Sequence, residues 1–196
     1  MTRRMVVGIT GASGAAYGIR LLDELRVLGI ESHLVMSKAA ELTLAYESDL
    51  TPREVRAKAD VVHAVHNVAA SIASGSFRTM GMVIAPCSVR TLGEIASGVS
   101  SSVLTRAADV TLKERRPLVL MLRESPLNLI HIRNLETVTL AGATVCLPAP
   151  AFYNRPQTVD EIVDDGVGRL LDQFHLESTL IRRWTDDHPA PTEDAS

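Results

Sequence analysis

Cysteine is nearly absent from this sequence. Its two residues, Cys87 and Cys146, stand in apolar surroundings without a metal-ligand spacing, which excludes a disulfide framework and a zinc site. An excess of charge is missing too. Twenty Lys and Arg against 23 Asp and Glu leave a net charge of -3, so no global positive field favours a phosphate polymer and no nucleic-acid partner is expected. No apolar run approaches the roughly 20 residues of a membrane span. The opening Met1-Thr2-Arg3-Arg4 leads into a strand-like stretch instead of a signal-peptide core, so a cytoplasmic protein without a membrane partner is expected. Aromatic side chains make up only 4% of the chain, so each one near a candidate site is informative. No internal repeat is present.

What remains is a chain of 196 residues, 46% hydrophobic, enough for one sizeable core and too short for two ordinary domains. Five short runs rich in Val, Ile and Leu, at 5–10, 32–36, 82–85, 118–122 and 143–147, are each followed by a turn signal. They lack the polar alternation of a half-solvated sheet. Strands covered on both faces are therefore predicted, in a doubly wound α/β fold with a mostly parallel, Rossmann-like or flavodoxin-like sheet and a single domain at 1–185. Thr51-Pro52-Arg53-Glu54 is a helix start with a capping box and Pro at the first position, and predicts a helix to about residue 59. A weak strand is expected at 61–65. Val159, Ile162, Val163, Val167, Leu170 and Leu171 recur at helical spacing. The polar, Pro-containing tail 186–196 is predicted to be disordered.

In such sheets the ligand crevice lies at the carboxyl ends of the strands. The segments found there are Gly11-Ala12-Ser13-Gly14, Ser37-Lys38, Pro86-Cys87-Ser88-Val89-Arg90-Thr91, Arg123-Glu124-Ser125-Pro126 and Pro148 to Tyr153. Small hydroxyl residues at two helix starts offer backbone N–H groups and a positive helix end to a phosphate, and Arg123 adds charge. An anion site at each of two helix starts is thus predicted. The glycine spacing is not that of a dinucleotide loop, and Ser37-Lys38 stands where such an enzyme would place an acidic residue for the ribose. A mononucleotide such as FMN is favoured over NAD. The absence of Gly-Lys-Ser/Thr excludes a P-loop. Arg115 and Arg116 read as surface charges, Cys87 as a small spacer, and His63 and His66 as solvated side chains.

The order and identity of Gly-Ile-Thr-Gly-Ala-Ser-Gly from Gly8, Ala-Ser-Gly-Ser-Phe from Ala73, Ala-Pro-Cys-Ser from Ala85, Thr-Arg-Ala-Ala-Asp-Val from Thr105, Leu-Lys-Glu-Arg-Arg from Leu112, Arg-Glu-Ser-Pro from Arg123 and Pro-Ala-Phe-Tyr from Pro150 resemble the flavin prenyltransferases of the UbiX type. The resemblance extends to Trp184. It implies an enzyme joining the dimethylallyl group of dimethylallyl phosphate to N5 and C6 of reduced FMN, with release of phosphate, to supply prenylated FMN to a UbiD-type decarboxylase. It implies FMN binding by Gly11, Ala12, Ser13, Ser37, Ser88, Val89, Arg90, Thr91 and Arg123. The substrate phosphate would be held by Arg106, Lys113, Arg123, Tyr153 and Arg169, with Ser13, Glu47, Lys113, Glu124 and Trp184 in catalytic roles. It further implies a homo-oligomer, commonly a dodecamer, with sites at subunit junctions.

The chemistry fits these residue types. Most prenyl transfer uses magnesium on an Asp-Asp-x-x-Asp pattern, which this chain lacks, so Arg and Lys donors are the available means of stabilising a departing phosphate and no metal is expected. An allylic cation would be matched by the ring faces of Tyr153 and Trp184. Two rival readings remain. An FMN-dependent cysteine decarboxylase usually has Pro-Ala-Ser-Ala-Asn-Thr where this chain has Pro86 to Thr91, with Arg90 at the Asn position. A non-catalytic flavin carrier subunit would have no use for the basic cluster.

Overall fold

The computed structural model describes residues 3–181 and 183; Trp184 and the tail 186–196 lie outside the described residues. The chain runs β1 (Arg4–Ile9), α1 (Ala15–Val27), β2 (Glu31–Met36), α2 (Lys38–Glu47), α3 (Pro52–Arg56), β3 (Val61–Val62), β4 (Gly81–Cys87), α4 (Val89–Ala96), α5 (Val103–Lys113), β5 (Leu118–Leu122), α6 (Leu129–Leu140), β6 (Thr144–Cys146) and α7 (Val159–Asp172), with short 3-10 turns at Ser71–Ala73 and Phe152–Asn154. The six strands form one sheet in the order β3-β2-β1-β4-β5-β6, and every neighbouring pair is parallel. This is the doubly wound fold the apolar runs predict.

The runs are continuous because both faces of the sheet are covered. On one face Met5, Val7 and Ile9 of β1 pack with Leu21, Leu22 and Leu25 of α1 and Val167, Leu170 and Leu171 of α7. On the other, Val6, Met82, Ile84 and Leu120 meet Leu92 of α4, Leu104 and Ala107 of α5 and Val138 of α6. All residues of β4 and β5 are buried, each large side chain contributing about 1.5–3 kcal/mol. Strand order reverses between β1 and β4, which opens the crevice at their carboxyl ends.

Three elements are shorter than the sequence-based expectation. The weak strand over 61–65 pairs only at Val61 and Val62, after which His63 N–H donates to the Leu34 carbonyl (2.9 Å) and the chain turns away. The helix begun by the Thr51 and Glu54 capping box ends at Arg56, not residue 59. The last strand is trimmed to Thr144–Cys146, since it pairs only with β5 at the sheet edge. The capping box itself forms, Glu54 N–H donating to Thr51 Oγ1 (3.3 Å) and Thr51 N–H to Glu54 Oε2 (2.7 Å).

Candidate active site

The carboxyl ends of β1 and β4 are stitched together by Thr10. Its hydroxyl donates to the Pro86 carbonyl (2.7 Å) and accepts from Ser88 N–H (2.8 Å). Gly11 then passes so close to α2 that a Cβ there would lie 2.4 Å from the Ala39 Cβ, so only glycine lets the loop and helix approach. Gly14, at φ 103°, caps α1 without any side-chain acceptor. That acceptor comes from elsewhere: Glu47, at the end of α2, takes hydrogen bonds from Gly14 N–H (2.9 Å) and Ala15 N–H (3.1 Å) on one carboxylate oxygen. The Ser13 hydroxyl bonds the same group, and Arg123 faces it electrostatically.

Partial burial alone would raise the Glu47 carboxyl above its ordinary value. The hydrogen bonds from Ser13, Gly14 and Ala15 and the charge of Arg123 outweigh it and hold the group below that value. Glu47 is therefore ionised at neutral pH, able to accept a proton and not to donate one. The expected anion site at the first helix start is corrected accordingly: its amides already hold a carboxylate belonging to the chain.

Three other helix starts, those of α2, α4 and α5, converge on one cavity of about 210 Å³. Ser37 caps α2 by accepting from Ala40 N–H (3.0 Å), Ser88 caps α4 from Thr91 N–H (3.3 Å), and Ser102 caps α5 from Thr105 N–H (3.3 Å). All three serines line the cavity, together with Gly11, Lys38 and Arg90. Each cap satisfies a third-position amide and leaves the earlier amides of its helix without intrahelical partners. Glu94 lines the cavity as well and pairs with Arg90 (3.0 Å), so three positive helix ends and Lys38 are what the hollow offers the phosphate of a mononucleotide. The volume falls below the roughly 300–1,000 Å³ of a pocket enclosing a whole ligand of that size.

Ser37, Lys38, Ser88, Arg90 and Thr91, all in segments that the sequence assigns to the crevice, line this cavity, as do Val65, His66 and the α5 start, which the sequence reading passed over. For α5 the signal was present, because Ser102 and Thr105 form a capping box. No pattern marks Val65 and His66, which reach the cavity by chain path alone. His63, expected to be solvated, is half-buried and bonded to His33, and Arg116, expected as a surface charge, donates to the carbonyls of Gly75 and Phe77 (both 2.7 Å).

Other predicted residues fall into separate places. Arg123 N–H donates to the Cys87 carbonyl (3.1 Å) at the crevice, and Glu124 turns its carboxylate onto Ser125 N–H (2.9 Å). Arg106 pairs with Asp109 (2.5 Å) and donates to the Ala73 carbonyl (3.3 Å), while Lys113 pairs with Glu114 beside Gly75. Because α5 returns from the carboxyl to the amino ends of the strands, Lys113 lies a strand length, roughly 20 Å, from the crevice of its own chain. Tyr153 is half-exposed in the 3-10 turn before α7, and Arg169, on α7, pairs with Asp172 (2.8 Å). One chain thus brings together Gly11, Ser37, Ser88, Arg90 and Thr91 in one group and Ser13, Glu47 and Arg123 in another, but leaves Arg106 and Lys113 apart from both.

Cys87 is fully buried, and desolvation pushes its thiol up to about 12. It is inert at neutral pH. Among the described residues no three His, Cys, Asp or Glu side chains gather to hold a metal ion, and no helix is long and apolar enough to cross a membrane.

Comparison with known proteins adds four likenesses. The family model described as Flavoprotein matches residues 1–183. The flavin prenyltransferase UbiX of Escherichia coli (strain K12) is 55% identical over 185 residues, covering 93% of this chain and 98% of its own. The crystal structure of AnUbiX (PadA1) in complex with FMN and dimethylallyl pyrophosphate superposes with a TM-score of 0.93 at 50% identity, over 94% of this chain and 98% of that one. A dodecameric FMN-dependent UbiX-like protein of Escherichia coli O157:H7, described as a decarboxylase, gives a TM-score of 0.91 at 49% identity, over 93% and 99%.

Proposed function

The chain belongs to the Flavoprotein family and, within it, to the UbiX-type flavin prenyltransferases, and from that premise we propose that it transfers the dimethylallyl group of dimethylallyl phosphate to N5 and C6 of reduced FMN, releasing phosphate. The observation that carries this reading is the cavity where three serine-capped helix starts meet Lys38 and Arg90, together with a Glu47 carboxylate fixed at the start of α1. Reduced FMN, when bound, supplies the two positions that are alkylated. Gly11, Ala12, Ser37, Ser88, Val89, Arg90 and Thr91 hold its phosphate and ribityl end, with Arg123 over the crevice between that cavity and Glu47.

The chain's own side chains do the rest. Glu47, ionised and oriented by Ser13, is the base that accepts a proton from the flavin edge. Arg106, Lys113, Arg123, Tyr153 and Arg169 grip the substrate phosphate and stabilise its charge as the carbon–oxygen bond breaks. Glu124 handles the second proton near the phosphate, and Trp184 supplies an aromatic face to the five-carbon group. The distance of Lys113 from its own crevice supports sites completed across subunits of a homo-oligomer, a dodecamer in this reading, as in the O157:H7 relative. The pyrophosphate in the AnUbiX complex shares the chain and proximal phosphate of the ester proposed here.

The catalytic domain is 1–185, and the product passes to a UbiD-type decarboxylase. A cytoplasmic location is supported by the two unpaired cysteines, which suit a reducing compartment. The test is phosphate release under anaerobic turnover. Lys113→Ala and Arg169→Ala are each expected to cost on the order of 10²–10³ in turnover, the usual effect of removing one preorganised charge, and EDTA is expected to leave the rate unchanged. Full activity in both variants, or strong inhibition by EDTA, would overturn the phosphate clamp.

A further inference from the structure

The edge of the sheet beyond the crevice carries a buried polar chain that the proposed chemistry does not use. His33 of β2, with a side chain 4% exposed, places Nδ1 2.9 Å from Nε2 of His63 and Nε2 2.8 Å from a carboxylate oxygen of Glu31. Arg4 donates to the same oxygen at 2.8 Å. The imidazoles lie nearly parallel with centroids 5.2 Å apart, and Phe77 closes the site, its ring 5.1 Å from His33 and its face 5.0 Å from the Arg4 guanidinium.

Proton bookkeeping limits this arrangement. An ionised Glu31 can only accept, so His33 Nε2 carries a hydrogen. The two facing nitrogens have room for one hydrogen between them. The pair is therefore neutral, or singly charged with a further hydrogen on His63 Nδ1, and a second added proton would set two N–H groups against each other at 2.9 Å. The other charges nearby are already committed or lie in the solvent groove: Arg106 pairs with Asp109 on α5, Arg56 with Glu41 beside His63, and Asp60 with Ser32, while Lys38 and His66 line the same groove.

The position gives this limit a consequence. His63 follows the two-residue strand β3, and the next residues, Val65 and His66, form a wall of the cavity with Ser37, Ser88 and Ser102. Besides the histidine pair, the segment is tied by His63 N–H to the Leu34 carbonyl and by Val103 N–H to the Val65 carbonyl, both at 2.9 Å. We propose that the His33–His63 pair is a proton-sensitive clip holding this wall, so that acid loosens the flavin cavity before it unfolds the sheet. Burial, and then the neighbouring His33, keep the proton affinity of His63 below that of a free imidazole. A group lowered in this way favours the clipped state above the ordinary value of about 6.5 and opposes it as pH falls.

The proposal rests on the reading that this cavity takes the flavin phosphate, and the two can fail separately. Oxidised FMN is titrated by fluorescence quenching into the full-length chain and into His63→Gln, at about pH 7.5 and about pH 5.5. The phosphate of FMN titrates in this range as well, but equally for both proteins. The clip predicts equal affinity at the higher pH within about threefold, and a fall at the lower pH about tenfold larger in the wild type than in the variant. Parallel losses would overturn it. Should His63→Gln not fold, His33→Gln gives the same reading. Absence of FMN binding at both pH values would sink the cavity assignment alone; the clip is then decided by hydrogen exchange over 61–66, faster in the wild type than in the variant at the lower pH if it exists and equal if it does not.

Discussion

A glutamate in the last turn of a helix is ordinarily solvated, yet the Glu47 carboxylate is drawn to the start of α1 by two amides and a hydroxyl 32 to 34 residues away in sequence. No periodicity announces such a contact, which is why only the resemblance, and no pattern in the residues, pointed to Glu47. Glu47→Gln keeps an acceptor and loses the charge. It is expected to bind FMN normally, to lose turnover on the order of 10²–10⁴ as a missing general base does, and to cost about 1 kcal/mol in urea unfolding as a lost helix cap does. Because its pKa is lowered on folding, its contribution to stability is present above the ordinary carboxylate value and lost as pH falls through the lowered one; stability attributable to it is flat between about pH 6 and 8. Cys87 gives the opposite case, a thiol in the midst of the motif that chemistry does not need. With its pKa near 12, Cys87→Ala is expected to keep full turnover at a cost of about 1 kcal/mol, and iodoacetamide is expected to spare Cys87 in the folded protein, as peptide mass mapping would read.

The elements were the legible part of this molecule wherever burial is two-sided. β1, β4 and β5 are apolar throughout because helices cover both faces, and their runs located them to within a residue or two. β3 was overread because Val61 to Val65 has strand composition while only two residues find a partner. The rest of the run serves the cavity instead. The α3 capping box was readable from four residues, since it is a local device. Thr51→Ala removes the acceptor for Glu54 N–H and is expected to lower stability by about 1 kcal/mol without altering turnover, a comparison of urea midpoints with initial rates. The α5 start was readable in the same way but its role was not: that Ser102 faces Ser37 and Ser88 across a hollow depends on the packing of three helices, which sequence spacing does not encode.

One copy of the chain is an incomplete machine. Helix α6 leaves Leu129, Ile130, Ile132 and Leu140 more than half exposed, a larger apolar stripe than a solitary helix face presents to water. Lys113 sits at the far end of α5 from the crevice, whereas Arg106 stands in its first turn. Both features follow if neighbouring copies cover α6 and bring their α5 ends to the crevice. Two inactive variants, Glu47→Gln and Lys113→Ala, are then expected to regain part of the activity when dissociated, mixed and reassembled, because some junctions receive both intact residues; no recovery would place the whole site within one chain. The fold of the single chain was legible because its core is local to it, whereas a junction between copies leaves only exposed apolar and basic residues as its trace. The central claim is the transfer itself, tested most directly by incubating the purified protein anaerobically with reduced FMN and dimethylallyl phosphate and weighing the released flavin by mass spectrometry. A flavin heavier by one five-carbon prenyl unit, with phosphate released in equal amount, is the predicted result. Unmodified flavin from protein that still binds FMN would contradict the account and leave a flavin carrier or an enzyme of different chemistry.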